Sequence, residues 1–417
     1  MPQTFPDFPL ADADKCVKCA LCLPHCPTYL QTRDEGESPR GRIALMQGFA
    51  IGALAITPRL VAHLDHCLAC RACEAVCPAD VPYGKLIDAT RLEFVRQGHG
   101  GEPPAVRLFA ACMRRPTLLR TLHGFLWFTQ RLGLLRLAVI SPRLARLVKL
   151  LPRLSAPHRW RDVYAPPQEN AQEVALFLGC IARVTQPAVT QASISVLNAL
   201  GYRVRIPERQ VCCGALDQHA GRSTQAAALA LKNLDAFDTG TGAPLLHTAS
   251  GCGATLNEYP LLVADARAAG FSARTRDISS FLTSQSRLGQ IQFKPWQARM
   301  LVHSPCTLKN VLKADKAVAE LLRCIPGLRV EMLPAGTGCC GAAGAHVLTQ
   351  AQTADQLADA IAAAVERTRP DVLVTANVGC ALHLRAALQR RGLGIPLLHP
   401  VEILARQLAD ENKKMAL

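Results

Sequence analysis

Eight cysteines near the amino terminus fall into two runs with one rhythm, Cys16-x2-Cys19-x2-Cys22-x3-Cys26-Pro27 and Cys67-x2-Cys70-x2-Cys73-x3-Cys77-Pro78. Three thiolates at intervals of three residues can close on one face of an iron-sulfur cube, while a fourth, set off by three residues and a proline, points to a second cube. The spacing therefore predicts two 4Fe-4S clusters with exchanged last ligands. Cys16, Cys19 and Cys22 take Cys77, and Cys67, Cys70 and Cys73 take Cys26. A structural zinc site needs only two Cys pairs around one tetrahedral ion, and eight thiols in two four-Cys runs exceed that need. The chain opens MPQTFPDFPLADADK, without the basic and apolar regions of an export signal, so disulfides are not expected. Its 18 cysteines suit a reducing cytoplasm.

A second set of cysteines is duplicated. Cys180, Cys212-Cys213-Gly214 and Cys252 recur as Cys306, Cys339-Cys340-Gly341 and Cys380, at offsets of 126, 127 and 128 residues. A histidine stands seven residues past the first Cys of each pair, His219 and His346, and Thr-Ala precedes each last cysteine, at Thr248-Ala249 and Thr375-Ala376. Two homologous modules account for this.

The elements that must position these sulfurs alternate in type. In the first module the runs Val174–Leu178, Tyr202–Ile206 and Leu245–Thr248 have strand character; Met300–His303, Leu328–Met332 and Asp371–Thr375 repeat the order. Helix-period segments lie between, such as Ala188–Leu200 and Thr353–Thr368 with its stripe of Leu357, Ile361, Ala364 and Val365. Alternation of this kind predicts α/β modules with mostly parallel sheets, and each key cysteine falls where a strand gives way to a helix. A cysteine there has its thiolate favoured by the helix N-terminus, and thiolate is the form that iron binds. Cys180, Cys212, Cys213 and Cys252, and then Cys306, Cys339, Cys340 and Cys380, are therefore candidate ligands of further iron-sulfur centres. Two arrangements satisfy the pattern, one centre per module or one centre shared between them.

With 417 residues, 49% hydrophobic and 19% charged, the chain has the size and composition of a globular protein of two or three domains. No segment approaches 18 uninterrupted apolar residues, so a membrane span is not expected. The net charge of +15 is concentrated: Pro103 to Arg161 holds twelve Lys or Arg and no Asp or Glu. There Arg107, Arg114, Arg120, Arg131, Arg136, Arg143, Arg146 and Lys149 interleave with Leu, Phe, Val and Trp127 at helical spacing. Basic amphipathic helices of this kind suit an anionic lipid surface or an acidic partner subunit, and their apolar faces equally suit packing on the chain's own domains. The stretch carries no stacking platform for bases, so nucleic acid is not an expected partner. A polar, Pro-rich passage, Ala165–Asn170, reads as a linker.

The tandem four-Cys runs, the basic connector and the two Cys-Cys-Gly modules, with the strings HTASGCGATLNEY, HSPCTLKN, CCGAAG and VTANVGC, resemble the Cys-Cys-Gly family of iron-sulfur oxidoreductase subunits and, within it, the iron-sulfur subunits of bacterial glycolate oxidase. The resemblance implies a multidomain α+α/β chain: a mainly helical two-cluster ferredoxin-type domain over 1–101, a basic helical connector over 102–170, and Cys-Cys-Gly modules over 171–290 and 291–417. It implies an electron-transfer subunit of a membrane-associated complex on the inner face of the cell membrane, taking electrons from FAD-binding dehydrogenase subunits that oxidise glycolate and passing them toward a quinone. Equivalent subunits of glycerol-3-phosphate and D-lactate dehydrogenases share these ligands, and heterodisulfide reductases share the modules. In the last, each module closes with a Cys-x2-Cys, whereas Thr255 and His383 stand at the second position here, which argues against that chemistry.

Removing a hydride from a 2-hydroxy acid moves two electrons at once, and an iron-sulfur cluster carries one, so an organic cofactor must divide the pair. No FAD or NAD site is expected on this chain. Gly336-x-Gly338-x-x-Gly341 matches the dinucleotide fingerprint, yet its variable positions are the Cys339-Cys340 pair, Arg209 and Val211 stand at the sister positions, and Asp355 lies inside a helical run. Cys112 and Cys324 have no repeat partner and are expected in packed positions. His219 and His346, each expected to begin a helix, and His303 and His383, near Cys306 and Cys380, are read as hydrogen-bonding or packing residues, with ligation of iron as the competing role.

Overall fold

The computed structural model of the protein describes residues 5, 7–100, 102–135, 142–168, 170–238, 240–334 and 338–409, and no side chain is described for 142–144. Arg136 of the basic stretch, Glu169 of the polar passage and Gly336 of the fingerprint fall outside the described residues.

The amino-terminal part is helical. Its longer helices, Pro39–Ala50, Pro58–Asp65 and Tyr83–Arg96, enclose a small core in which Met46, Leu64, Leu86, Ile87 and Phe94 are buried and Phe49 meets Phe94 edge-on at 5.3 Å between ring centroids. Local chemistry sets two of the starts. Ser38 Oγ accepts from Gly41 N–H at 2.9 Å and Thr57 Oγ1 from Leu60 N–H at 3.2 Å, each followed by a proline whose missing N–H costs the first turn nothing.

The connector forms the helices Pro104–Met113, Pro116–Arg131 and Pro142–Leu150, each opening on proline. One face packs inward: Val106, Ala110, Met113 and Leu119 are buried, Arg114 binds the buried Asp217 at 2.7 Å, and Arg146 holds Asp355 at 2.5 Å. The other face is open. Leu108, Phe125, Phe128 and Leu132 are 66%, 63%, 54% and 56% exposed, beside the exposed Arg107, Arg120 and Arg131. The helices thus pack on the domains and still present a basic, apolar surface.

The remaining chain folds into two parallel sheets. β1 (Val163–Tyr164), β2 (Gln172–Phe177), β3 (Tyr202–Arg205), β4 (Leu245–His247) and β5 (Thr275–Asp277) form one in the order β1-β3-β2-β4-β5, with only β1 antiparallel. β6 (Ala298–His303), β7 (Leu328–Met332), β8 (Val372–Thr375) and β9 (Leu397–Leu398) form the other in the order β7-β6-β8-β9. Without β1 the two orders coincide, so the cysteine repeat is a repeat of topology. The fold class expected from the sequence, a helical module followed by two α/β modules, is the one present.

The two modules are not independent globules. One apolar core runs through both, taking Val174, Leu176, Ile194 and Leu197 from the first and Met300, Val302, Leu321 and Val374 from the second. The helix Pro187–Ala199 packs on Pro400–Gln407, and Ile278–Thr283 packs on Asp315–Arg323. His399 seals the join. Its Nε2 lies 3.0 Å from Thr248 O of the first module, while its Nδ1 accepts from Val401 N–H at 3.2 Å and caps the last helix.

Candidate iron-sulfur centres

Both amino-terminal Cys runs lie in loops wound through left-handed backbone at matching places, Lys18 (φ 56°) and Ala20 (φ 71°) in one, Ala69 (φ 48°) and Arg71 (φ 55°) in the other. Such strain at non-glycine residues persists only where the surroundings impose it, and here it curls each loop around a point. Cys16, Cys19, Cys22 and Cys77 line one small cavity together with Cys73. Cys26, Cys67, Cys70 and Cys73 line a second. Cys19 is exposed, placing the first cavity at the surface.

A buried network that the sequence reading did not identify supports the second cavity. Arg42, 1% exposed, donates to Glu37 at 2.5 Å, to Thr28 Oγ1 at 2.9 Å and to His63 O at 2.7 Å, and its Nη1 reaches the Cys26 sulfur at 4.0 Å. Burial pushes the Glu37 carboxyl up, but contacts with His66 and His63 and the Arg42 charge outweigh it, and its pKa lies below the usual value. Tyr83 OH donates to Cys67 Sγ at 3.5 Å. An arginine inside a helix, five residues past an acid in the turn before it, has no special signature, so this network is visible only in three dimensions.

In the modules the cysteines stand at strand ends. Cys180 follows β2 and precedes the helix Ile181–Thr185, Cys306 opens the helix Cys306–Asn310 after β6, and Cys252 and Cys380 lie in the first turns of Ser250–Asn257 and Val378–Arg390. The pairs precede glycines that no other residue replaces easily. Gly341 (φ 76°) would place a Cβ 2.6 Å from Ala354 O, and Gly214 (φ 95°) abuts Ala226, so the pairs are held close against the helices Ala351–Thr368 and Ser223–Ala236 respectively. Cys212 and Cys180 sulfurs are 3.5 Å apart, and those of Cys340 and Cys380 are 2.8 Å apart.

The electrostatics repeat with the geometry. Cys212 is held well below the usual thiol range by S–H contacts from Cys180 and Cys213 that outweigh burial, helped by the Gly214 N–H and the Arg114 charge. Cys339 is lowered in the same way by Cys306 and Cys340. Their neighbours Cys180, Cys213, Cys306 and Cys340 are pushed up by the same hydrogen bonds and by burial. A metal would displace the remaining thiol protons, and clusters of soft sulfur donors of this kind suit iron-sulfur centres.

All eight sulfurs line one cavity of about 450 Å³ that lies between the modules and is lined on a further side by the helical domain. Leu68 and Cys70 pack with Cys306, Cys339 and Leu357 in one apolar patch, and Asn310 Nδ2 donates to Cys70 O at 2.8 Å. Arg91 clamps the other side, reaching Cys67 O at 2.8 Å and His219 O at 3.2 Å, while Arg71 pairs with Glu258.

Other residues take less expected places. His219 closes the helix Ala215–Gln218 instead of beginning one, whereas His346 opens His346–Thr349. His383 is structural, placed between Cys340 O (2.8 Å) and Asp355 (3.2 Å). Asp355 lies inside the helix Ala351–Thr368, as its periodicity predicted. Cys112 is half-buried, but Cys324 is exposed, because it falls on the open side just after the helix Asp315–Arg323. Asn377 Nδ2 donates to Cys380 Sγ at 3.4 Å. His303, at the end of β6, is buried beside Cys340 and Cys380.

Comparison with known proteins agrees with this division. Residues 12–81 match the family described as a 4Fe-4S dicluster domain, and residues 174–257 and 300–385 each match the cysteine-rich domain. The glycolate oxidase iron-sulfur subunit of Escherichia coli (strain K12) is 32% identical over 408 residues, covering 95% of this chain and 94% of that protein. The probable glycolate oxidase iron-sulfur subunit of Bacillus subtilis (strain 168) is 30% identical over 412 residues, covering 93% and 92%. Lactate utilization protein A of Halalkalibacterium halodurans is 29% identical over 241 residues, covering 56% of this chain and 97% of that protein. With two four-Cys loops, two Cys-Cys-Gly modules and relatives aligned almost end to end, the chain belongs to the family of glycolate oxidase iron-sulfur subunits.

Proposed function

We propose that this chain is the electron-transfer subunit of a complex oxidising glycolate to glyoxylate, taking electrons from an FAD-bearing partner that holds the substrate and passing them toward a membrane quinone. In this reading Cys16, Cys19, Cys22 and Cys77 hold one 4Fe-4S cluster, and Cys67, Cys70, Cys73 and Cys26 hold the other. Cys180, Cys212, Cys213 and Cys252, and separately Cys306, Cys339, Cys340 and Cys380, each hold a further iron-sulfur centre. Such centres, when bound, carry single electrons. Residues 1–101, 102–170, 171–290 and 291–417 are the corresponding domains.

The observation that carries the reading is the packing of Cys70 with Cys306 and Cys339, because it puts a ligand of the second amino-terminal loop in contact with a module quartet. The protein's own part is to exclude water there and to keep the sulfurs fixed. No helix among the described residues is long and apolar enough to cross a membrane, and the open basic face of the connector supports peripheral contact with the anionic inner leaflet. The likeness of 56% of this chain to a lactate utilization protein favours lactate as the second reading of the substrate.

The test is anaerobic counting of iron and acid-labile sulfide in the wild type beside a Cys212→Ser/Cys339→Ser double variant. The expected result is a loss of the iron in excess of the two amino-terminal clusters. Equal iron in both proteins would refute the centres in the modules. Copurification with a flavoprotein reducible by glycolate, and not by either enantiomer of lactate, separates the two substrates.

A further inference from the structure

The two quartets are alike in sulfur and unlike in what stands behind them. Three residues before Cys180 the first module has Phe177, buried and packed on Phe237 at 6.1 Å between ring centroids. Three residues before Cys306 the second module has His303, 2% exposed at the end of β6. Its Nδ1 lies 2.9 Å from Thr375 Oγ1, on the neighbouring strand β8. Its Nε2 has no hydrogen-bond partner among the described residues. A buried imidazole nitrogen without a partner is costly, so its place calls for an explanation.

The surroundings supply one. A ring nitrogen of His303 and the sulfurs of Cys340 and Cys380 all lie within 4.8 Å of one another. With Nδ1–H donated to Thr375, the lone pair is left on Nε2, and this second bond is the usual device by which proteins fix the tautomer and aim of a metal-ligating histidine. His383 is used up by Cys340 O and Asp355, and His346, buried in the lining of the same cavity, forms no such close group with the sulfurs among the described residues. Chemistry gives no obstacle, because imidazole replaces thiolate on iron in known iron-sulfur centres.

We propose that His303 Nε2 ligates the iron-sulfur centre of the second module, which is thereby a mixed nitrogen and sulfur site, while the centre of the first module has thiolate ligands only. The inference rests on the reading that the quartets hold iron. Binding uses the neutral imidazole lone pair, so no proton leaves the histidine. The duplicated modules then hold centres of unlike ligation, four thiolates in the first and four thiolates with one imidazole in the second. Two paired strand-end positions separate them, Phe177 beside His247 in the first module and His303 beside Thr375 in the second, and His247 forms no such group with the sulfurs of its module among the described residues.

Mössbauer spectroscopy of the full chain grown on iron-57 and purified anaerobically tests this, since it registers every iron whatever its spin state. The wild type is expected to show an iron subsite with the larger isomer shift of nitrogen ligation, and His303→Phe, which copies the residue of the first module, is expected to lose it while the other iron stays unchanged. Thr375→Val keeps the imidazole and removes only its orienting bond, so it is expected to broaden or shift the same subsite; this variant decides the matter if His303→Phe does not fold. Superimposable spectra for wild type and variants, with iron that Cys339→Ser removes, would overturn the histidine assignment alone. Wild-type iron no greater than that of the two amino-terminal clusters would instead overturn the reading beneath it, and the assignment with it.

Discussion

Replacing Arg42 by methionine removes a charge from beneath the second cluster site while keeping most of the side-chain volume. In the wild type the guanidinium is 1% exposed and its ion pair with Glu37, whose side chain is 5% exposed, is closed to solvent. Breaking a buried pair from one side costs about 3–5 kcal/mol, chiefly because the abandoned charge has no water to turn to. Here the lower end applies. Glu37 keeps His63 at 2.8 Å and His66 at 3.0 Å on its other oxygen, and Thr28 still donates to Glu37 O at 3.0 Å, so one carboxylate oxygen, Thr28 Oγ1 and His63 O lose a donor. The expected loss is about 3 kcal/mol for Arg42→Met. Arg42→Met/Glu37→Gln, which removes the abandoned charge as well, is expected to regain about half of it. Anaerobic urea unfolding followed by cluster absorbance measures both, and iron release should begin at the site of Cys26, whose sulfur the same guanidinium approaches. A single variant within 1 kcal/mol of wild type, or a double variant no more stable than the single, would refute the reasoning.

Two further outcomes follow from other parts of the fold. Burial lowers the pKa of His399 from the usual 6.5 to about 4, so its contribution to stability is complete above the unfolded value and is lost as pH falls toward the folded one. Between pH 7.5 and 5 that loss amounts to about 2 kcal/mol, and His399→Asn, which retains a capping side chain but cannot titrate, should show a melting curve correspondingly less sensitive to acid. Equal acid sensitivity in both proteins would count against it. On the connector, Phe125→Ser/Phe128→Ser exposes no new core, yet if this face enters a lipid surface each ring contributes about 1.5 kcal/mol, and flotation with anionic vesicles should show at least a tenfold weaker association. Unchanged flotation would remove the lipid surface as a partner for these helices.

Much of the architecture was readable from local pattern. β7 spans the five residues its alternation predicted, Leu328–Met332, and the helix expected from Thr353 begins two residues earlier, at Ala351. The Cys-Cys-Gly glycines were legible as repeats, but the reason for them, contact with Ala354 and Ala226, was not. The short edge strands β1, β5 and β9 escaped notice because two or three residues carry no period. The single core through both modules escaped for a different reason. Nothing in the run Pro400–Gln407 says that its apolar side rests on Pro187–Ala199, two hundred positions earlier. A hydrophobic stripe specifies that a face is covered and not what covers it.

The same division holds for the chemistry. Sequence by itself determined which sulfurs belong to which loop and that the modules are copies, because cluster ligation and gene duplication both leave their mark as intervals along the chain. Only the tertiary structure decided that the two quartets face one cavity, that Cys70 touches the second of them, that Arg42 backs Cys26, and that one histidine nitrogen was left beside two thiols with no partner of its own. Those are statements about distance between residues far apart in the chain, and distance is fixed by how separately patterned surfaces pack once every buried polar group must find a partner.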